Sequence, residues 1–555
     1  MSTPAITVFT KRAVADDPAG SLLSKRISLV NDQAVSDGAP CRMAIGDAKV
    51  ISVATAAELV RVIASLGRDN ALALGTMEQH VEARVVTARM LAKMSERTTP
   101  DGLPVIARSR TYVDYRPGPA WMLCDFDRKG MPASVSAAIG DAGGMWPALL
   151  SVMPGLAQAA RVTRASTSAG LWRIDTGEAL PHSGGEHHYI LAVDGADIDR
   201  ALRTLHDMCW LHGLGWYLIG ASGQMLERSV VDSSVRFGER LCFEGAPEVV
   251  PPLAQDAAAR APVAHEGCAI DTKIVIPVLT DYELARIHEA KQRARSELEP
   301  RAAEVRAAAD RRVAEDICSR TGTPQMSAMR IVAARHDRVL LPHIMLDFDH
   351  SEPASVEDVL TQPDEFIGET LADPLEGAGY GRGKAIILRS KTEPQRIVIN
   401  SFAHGHAFYR LCHDARTVGA AVAKADSQHV VDVLCAMVGQ AEIAPDEMVG
   451  LIAAASAKTK TGIRPIQARL KAERARLAAA RRQAQHEQRV VQDNRLTRPL
   501  PPPDGARTPV ITVVDEALES DPSEEPPMRD ATGNIIEVRT IAPWGLHLLT
   551  ATGSN

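Results

Sequence analysis

The chain predicts an α+β fold divided among more than one domain, and three observations lead there. Its 555 residues exceed what a single hydrophobic core serves. Between about 104 and 250, short β-rich runs broken by turns are interrupted by only two helical segments, the mixture expected of an α+β domain. A charged helical stretch over 280–317 then leads to a second mixed region over about 328–457.

Taken in order, residues 1–40 read as short strands and turns. Residues 55–67 read as an amphipathic helix, with Thr55 as N-cap, Glu58 three residues on and Gly67 at the C-terminal end. The apolar run Ala71-Leu-Ala-Leu-Gly75 reads as a buried strand, and a helix is expected near 80–95. Strands are expected at Val105–Ala107, Ala120–Cys124, Gly170–Ile174, His188–Val193, Trp216–Gly220 and Met225–Val231, with helices near 132–141 and 197–212. Pro251-Pro252 and the Ala-rich run to 263 mark a linker. The segment 251–327 is thus a linker followed by a helical connector, which Pro300 should break. After the second mixed region come a basic Ala/Arg-rich helix at 465–491, within a segment 458–495, and an acidic, Pro-containing tail over 496–555 that starts with a break at Pro499–Pro503. That tail should be flexible, and 528–555 has no clear pattern. The ending, Leu548 to Asn555, has no stop in pattern, which suits a form shortened from a longer protein.

Composition narrows the function. Hydrophobic residues at 45% and charged residues at 24% are ordinary globular values. The net charge of −7 excludes a uniformly basic nucleic-acid coat, but not a local basic groove. The eight cysteines are scattered with no Cys-x-x-Cys, which argues against a zinc ribbon and suits a reducing cytoplasm. The first residues lack the basic and apolar regions of a signal peptide, and no apolar run approaches the ~20 residues of a membrane-spanning helix. A cytoplasmic protein with no membrane partner is expected.

The chemistry gathers in three places. Trp121-Met-Leu-Cys-Asp-Phe-Asp-Arg-Lys-Gly130 puts Asp125 and Asp127 at the end of an apolar run. On a strand, residues two apart face the same way, and paired carboxylates are costly to bury without a cation. Divalent metals are the usual reason for such a pair, and phosphoryl or nucleotidyl transfer the commonest chemistry. Ser183-Gly-Gly-Glu-His-His-Tyr189 follows, a Gly-rich turn that delivers a histidine to a strand and whose amides can approach phosphate closely. A surface turn with two solvated histidines is the plainer reading. The third place is the run from Leu226 to Gly245: Asp232 closes an apolar stretch and Arg240 stands eight residues on, a third acid and a guanidinium for phosphate.

The order Asp-x-Asp, then Ser-x-x-x-His, then apolar-Asp-…-Arg resembles the catalytic core of archaeo-eukaryotic primases, and most closely the primase-polymerase proteins of prophage, plasmid and integrative-element replication modules. The resemblance covers about 100–250 well and 40–100 loosely. It implies a catalytic domain over 40–250 that joins a small α/β unit to a sheet like an RNA-recognition fold. It implies that Asp125, Asp127 and Asp232 are catalytic and hold two Mg²⁺ or Mn²⁺ ions. His187 would contact the phosphates of an NTP or dNTP, with Arg240, Ser183 and Lys129 also binding nucleotide. His187 and His188 are adjacent, and register must choose between them. Ser183 stands further from the histidine than in the family, leaving Ser166 and Ser168 as alternatives. The implied activity is metal-dependent, template-directed DNA-primase or polymerase synthesis on single-stranded DNA, with unwinding left to a separate helicase or initiation protein. Segments at 368–377, 380–385 and 400–405 resemble parts of mobile-element replication proteins of no assigned chemistry.

Other readings compete. A haloacid-dehalogenase-type phosphatase favours Asp-x-Asp-Gly-Thr, where this chain has Arg128-Lys129, and neither that family nor an Asp-x-Asp glycosyltransferase accounts for Asp232 with Arg240. Ala378-Gly-Tyr-Gly-Arg-Gly-Lys-Ala385 is not a P-loop, because Ala378 and Ala385 replace its first Gly and its Ser/Thr, and strands rather than a helix should follow. Arg128, Arg382 and Lys384 are candidates for nucleic-acid contact, with a solvated basic turn as the alternative for the last two. Asp347 and Asp349 echo the first pair without a third acid and should be structural. His404 and His406 could face one way on a strand as metal ligands, or be satisfied by backbone. The 465–491 helix could track a nucleic-acid backbone or be a solvated spacer. A non-catalytic replication factor that binds nucleic acid through a primase-like fold is the alternative from another class.

Overall fold

The apolar run ahead of Asp125 forms the strand Ala120–Phe126, and its alternation builds the centre of the molecule. Met122, Cys124 and Phe126 face one core, while Trp121 and Leu123 face another. In the computed structural model the described residues are 3–14, 19–181, 183–349, 351–390, 392–393, 395–403, 407–492, 528–529, 535–540 and 547–550. They form mixed α+β structure in two compact units, one of residues 1–389 with 395–454, the other of 390–394 with 455–555.

In the larger unit Ala120–Phe126 pairs antiparallel with Glu186–Ala192, which pairs with Arg161–Ala165, which pairs with Val263–His265. Helices Ala133–Asp141, Met145–Val152 and Ile198–Leu211 cover the Met122 face. Helix Ala56–Ser65 covers the Trp121 face, joined by Ile6 from a second sheet and by Val53 just past one of its strands. That sheet has five strands in the order Asn70–Ala73, Ala5–Lys11, Ile45–Ser52, Glu82–Val86 and Val105–Ala107, so it draws on chain from both sides of residue 40. Thr55 caps its helix by accepting from the Glu58 amide, as its sequence position predicts.

Several expectations need correcting. The region 80–95 is not one helix: Glu82–Val86 is a strand, and only Ala88–Lys93 is helical. Arg84 alternates with buried neighbours and its guanidinium meets Asp47 across the strand pair at 2.7 Å, so sheet pairing overrides helical propensity. The stretch after Pro252 is not a free linker. Leu253–Gln255 pairs with Leu171–Arg173, Val263–His265 extends the central sheet, and Arg260 is buried between them. Pro300 does not break the connector. Asp281–Thr321 is one 41-residue helix, started by a Thr280/Glu283 capping box and ended by Gly322 in the left-handed conformation. A proline there removes one N–H, and packing against Ile198–Leu211, Gly215–Ile219 and Gln325–Ala334 supports the turns on both sides.

The second mixed region builds a sheet in the order Val339–Leu340, Ala407–Leu411, Ile397–Ser401, Ala385–Arg389 and Thr370–Leu371. A strand does follow Lys384, as the rejection of a P-loop requires. His404 and His406 lie outside the described residues, as does the Pro499–Pro503 break. In the smaller unit the basic helix runs Ile463–Gln492, and Met528–Arg529, Ile535–Thr540 and His547–Thr550 pair antiparallel where no pattern was legible. Among the described residues no helix is long and apolar enough to cross a membrane.

Candidate nucleotidyl-transfer site

The site lies where the Trp121 face of the central sheet runs out of apolar side chains. Asp125 is the next residue on that face after Leu123, and antiparallel register sets it opposite His187, which in turn stands opposite Arg164. An acid, an imidazole and a guanidinium thus form a row across three strands. His187 Nε2 is 3.5 Å from Asp125 Oδ1. His188 points the other way, stacked on Trp146 with ring centroids 5.3 Å apart and bonded to Glu186 at 3.0 Å. Register therefore selects His187 as the histidine beside the acids.

Asp232 reaches the same strand end from a different part of the chain. Its backbone N–H donates to the Asp125 carbonyl at 3.0 Å. Its carboxylate accepts from the Ser234 amide at 2.8 Å and the Ser234 hydroxyl at 3.0 Å, and Arg228 stands 3.7 Å away. Asp127 lies just past the strand and accepts from the Lys129 amide at 3.0 Å. The electrostatics show the crowding. Burial pushes the Asp125 carboxyl up; His187 opposes this, and the Asp232 and Asp127 carboxylates add to it. Burial acts the same way on Asp232, but Arg228, the Ser234 bonds and Arg240 prevail and hold its carboxyl down. The three acids share one strand end without forming a tight three-donor cage.

Among the described residues, that tighter arrangement occurs at His206, Asp207 and Glu227, whose donor atoms lie within 4.8 Å of one another and could hold a metal ion. A cation already sits there: Lys291 Nζ is 2.7 Å from Asp207 and 2.6 Å from Glu227.

Behind His187 lies a residue that the motif reading gave no role. Glu244 is fully buried; its carboxylate bonds His187 Nδ1, accepts from the Tyr189 hydroxyl at 2.6 Å and pairs with Arg164 at 2.9 Å, with Arg260 at 3.7 Å. A carboxylate only accepts, so Nδ1 carries a proton and donates to Glu244, and Nε2, facing Asp125, can bond a carboxylate or phosphate oxygen only when it is protonated too. Burial alone would lower the His187 pKa; Glu244 and Asp125 outweigh it and raise it. A lone acid in Cys242-Phe-Glu-Gly245 was the available signal. Lys25, from the start of the chain, is felt by both Asp125 and His187, and nothing local in its sequence marks it.

The remaining candidates are distributed unevenly. Ser183 Oγ lies 2.9 Å from Ser166 Oγ and 3.0 Å from Ser168 Oγ, so all three serines weighed from sequence form one cluster. Arg128 donates to Ser136 Oγ at 3.1 Å and lies against Gly184, and the Lys129 side chain is exposed. Arg240 is exposed, on the Asp232 side. Arg382 donates to the Phe348 carbonyl at 2.9 Å, a bond that holds its own turn. Asp349 accepts from the Gly383 amide at 3.1 Å, a structural role. Lys384, from the second mixed region, is within electrostatic range of Asp232, Arg240 and Arg228. Compared with known proteins, the chain matches no family model, no curated protein and no solved structure.

Proposed function

We propose that the chain is a metal-dependent, template-directed nucleotidyltransferase of the primase-polymerase type, acting on single-stranded DNA with NTPs or dNTPs. One observation carries the reading. Asp125, His187 and Asp232, chosen from three motifs spread over more than a hundred residues, meet at one strand end through register and a 3.0 Å backbone bond. Along the chain the central sheet runs strand, two helices, two strands, helix and a late fourth strand, Val263–His265, that pairs beside Arg161–Ala165, a mixture that suits an α+β core.

The donor set suits Mg²⁺ or Mn²⁺ in its chemistry, because three hard carboxylates share one strand end and Asp125 bears a repulsion from Asp232 and Asp127 that a divalent cation would relieve. Asp125, Asp127 and Asp232 would hold the ions. When bound, these would neutralise triphosphate charge, acidify the attacking 3′-hydroxyl and stabilise pyrophosphate as it leaves. The chain's own groups do the rest. His187, held by Glu244, offers Nε2 toward the acids for a phosphate oxygen. Arg240 and Arg228 supply positive charge on the Asp232 side, Lys25 on the Asp125 side, and the serine cluster with its Gly-rich turn offers small donors. Unwinding of duplex falls to a partner.

The competing reading, a replication factor that binds single strands without turnover, draws on the absence of a tight three-acid cage. Primer synthesis and extension on single-stranded DNA with labelled nucleotides and Mg²⁺ or Mn²⁺ separates the two. Metal-dependent product that disappears in Asp125→Ala/Asp127→Ala supports the enzyme. A folded chain that binds single strands but makes no product supports the factor.

A further inference from the structure

The turn Tyr380–Lys384 is built rigidly. Gly381 and Gly383 take φ of 140° and 63°, conformations that favour glycine. Gly383 donates to Asp349, and Arg382 donates to the Phe348 carbonyl. Lys384 is pinned through its backbone: its N–H donates to the Leu371 carbonyl at 3.0 Å and its carbonyl accepts from Phe402 at 2.7 Å. A Cβ on Gly381 would stand 2.9 Å from Lys384 Cε, so glycine there leaves room for the lysine stem. The ammonium lies 5.5 Å from the Tyr380 ring centroid.

The turn is also docked against the catalytic region. The hairpin of Gly215–Ile219 and Met225–Ser229 meets the chain just ahead of the turn, where Ser222 Oγ at the hairpin tip donates to the buried Glu376 at 2.5 Å. Gly220 has no room for a Cβ, which would stand 2.5 Å from a Glu376 oxygen. The same hairpin carries Arg228, four residues before Asp232. Elsewhere Arg42 donates to the Asp349 carbonyl at 2.7 Å, and Arg89 donates to the Glu365 carbonyl at 2.7 Å and pairs with Glu369.

This docking leaves Lys384, Arg228 and Arg240 within electrostatic range of Asp232, with Arg228 3.7 Å from its carboxylate. Among the described residues, neither Lys384 nor Arg240 has a carboxylate within ion-pair distance, and Arg228 reaches Asp232 only at 3.7 Å. Burial and Arg240 both act against the charge on Lys384, and Asp232 favours it. Three cations held against one carboxylate carry mutual repulsion that a polyanion would relieve.

Resting on the nucleotidyl-transfer reading, we propose that Lys384 binds a phosphate of the incoming nucleotide's triphosphate alongside Arg228 and Arg240, so that the second α+β region completes the active site. The cations act electrostatically on the acid that would hold a triphosphate-bound metal, which favours the nucleotide over a template strand. No bond is made or broken by Lys384; it supplies charge and a donor.

The test is calorimetric titration of the full chain with dATP and Ca²⁺, beside anisotropy of a labelled single-stranded oligonucleotide and primer extension with Mg²⁺. Lys384→Ala is expected to weaken dATP binding about 10–100-fold, the factor for one charge-assisted hydrogen bond. Lys384→Arg should restore most of it, and oligonucleotide affinity should not change. Lys384→Gln replaces the alanine variant if that one does not fold. Unchanged dATP affinity in Lys384→Ala, beside a wild type that extends primers, overturns the inference and leaves the enzyme reading standing. Lost oligonucleotide affinity with dATP binding intact overturns it in favour of a template contact. A wild type that neither binds dATP nor extends primers removes both.

Discussion

Glu244 fixes the orientation of His187. The buried carboxylate accepts a hydrogen bond from the imidazole Nδ1–H, and Nε2 faces Asp125 at 3.5 Å. The same carboxylate satisfies Tyr189 and Arg164 and lies 3.7 Å from Arg260, so one acid ties the sheet row to the chain that returns after Pro252. It is the kind of outer partner that sets a functional histidine's tautomer and angle.

Glu244→Ala would leave Arg164 and Arg260 buried without their carboxylate. Breaking a buried pair from one side costs about 3–5 kcal/mol, and urea denaturation should show a loss of that size. Glu244→Gln keeps the shape, so it should lose less stability while nucleotide binding still falls, because one face of the amide can no longer accept from every donor. Equal stability in wild type and Glu244→Ala would mean that the pair contributes nothing to the fold.

Gly185 sets how closely the Gly-rich turn approaches the acids. A Cβ there would stand 2.9 Å from the Phe126 carbonyl and 3.3 Å from Ser166 Cβ. Gly185→Ala should therefore cost about 1–3 kcal/mol in thermal unfolding, the usual range for overpacking, and lower nucleotide incorporation by displacing the serine cluster. Gly140, in an exposed part of helix Ala133–Asp141 with nothing near its Cβ, is the control. Gly140→Ala should leave stability unchanged or raise it by up to about 1 kcal/mol.

Which parts of this were readable in advance follows from how far each signal reaches along the chain. The strand Ala120–Phe126 and the helix at Thr55 were legible because an apolar run and a cap are local. Asp125, His187 and Asp232 were legible as motif members, and register then decided between His187 and His188. Lys25 carries no signal in the sequence, and Lys384 stands there as a nucleic-acid candidate with no link to Asp232, because only tertiary folding brings residues so far apart within electrostatic range of the acids. Glu82–Val86 is a strand where its sequence suggests helix, because cross-strand pairing with Ile45–Ser52, not local propensity, decides its state. The same holds for 253–265, where Pro and Ala composition suggested a linker and sheet edges captured the chain instead.

The uninterrupted connector leads to a prediction about Pro300. The helix Asp281–Thr321 carries the proline at the cost of one backbone bond and crowding of the preceding turn. Pro300→Ala should raise the melting temperature, with a gain of up to about 3 kcal/mol. A lower melting temperature would show that the proline relieves a bend required by the packing of this helix on Ile198–Leu211.

Acid should unfasten the connector at Glu227. Burial would raise that carboxyl, but the bonds from His206 at 2.9 Å and Lys291 at 2.6 Å outweigh it and hold its pKa at about 2, against an ordinary 4.5. A folded-state pKa below the unfolded one means that the ionised form is favoured by folding. The contribution is thus fully present above about pH 4.5 and fades as pH falls toward about 2. Wild type should exceed Glu227→Gln in denaturant midpoint at pH 7, and the gap should close through that window. Part of Glu227 meets solvent, so salt should shrink the gap as well. A gap that stays constant down to pH 2 would assign the effect to packing of the side chain, not to its charge.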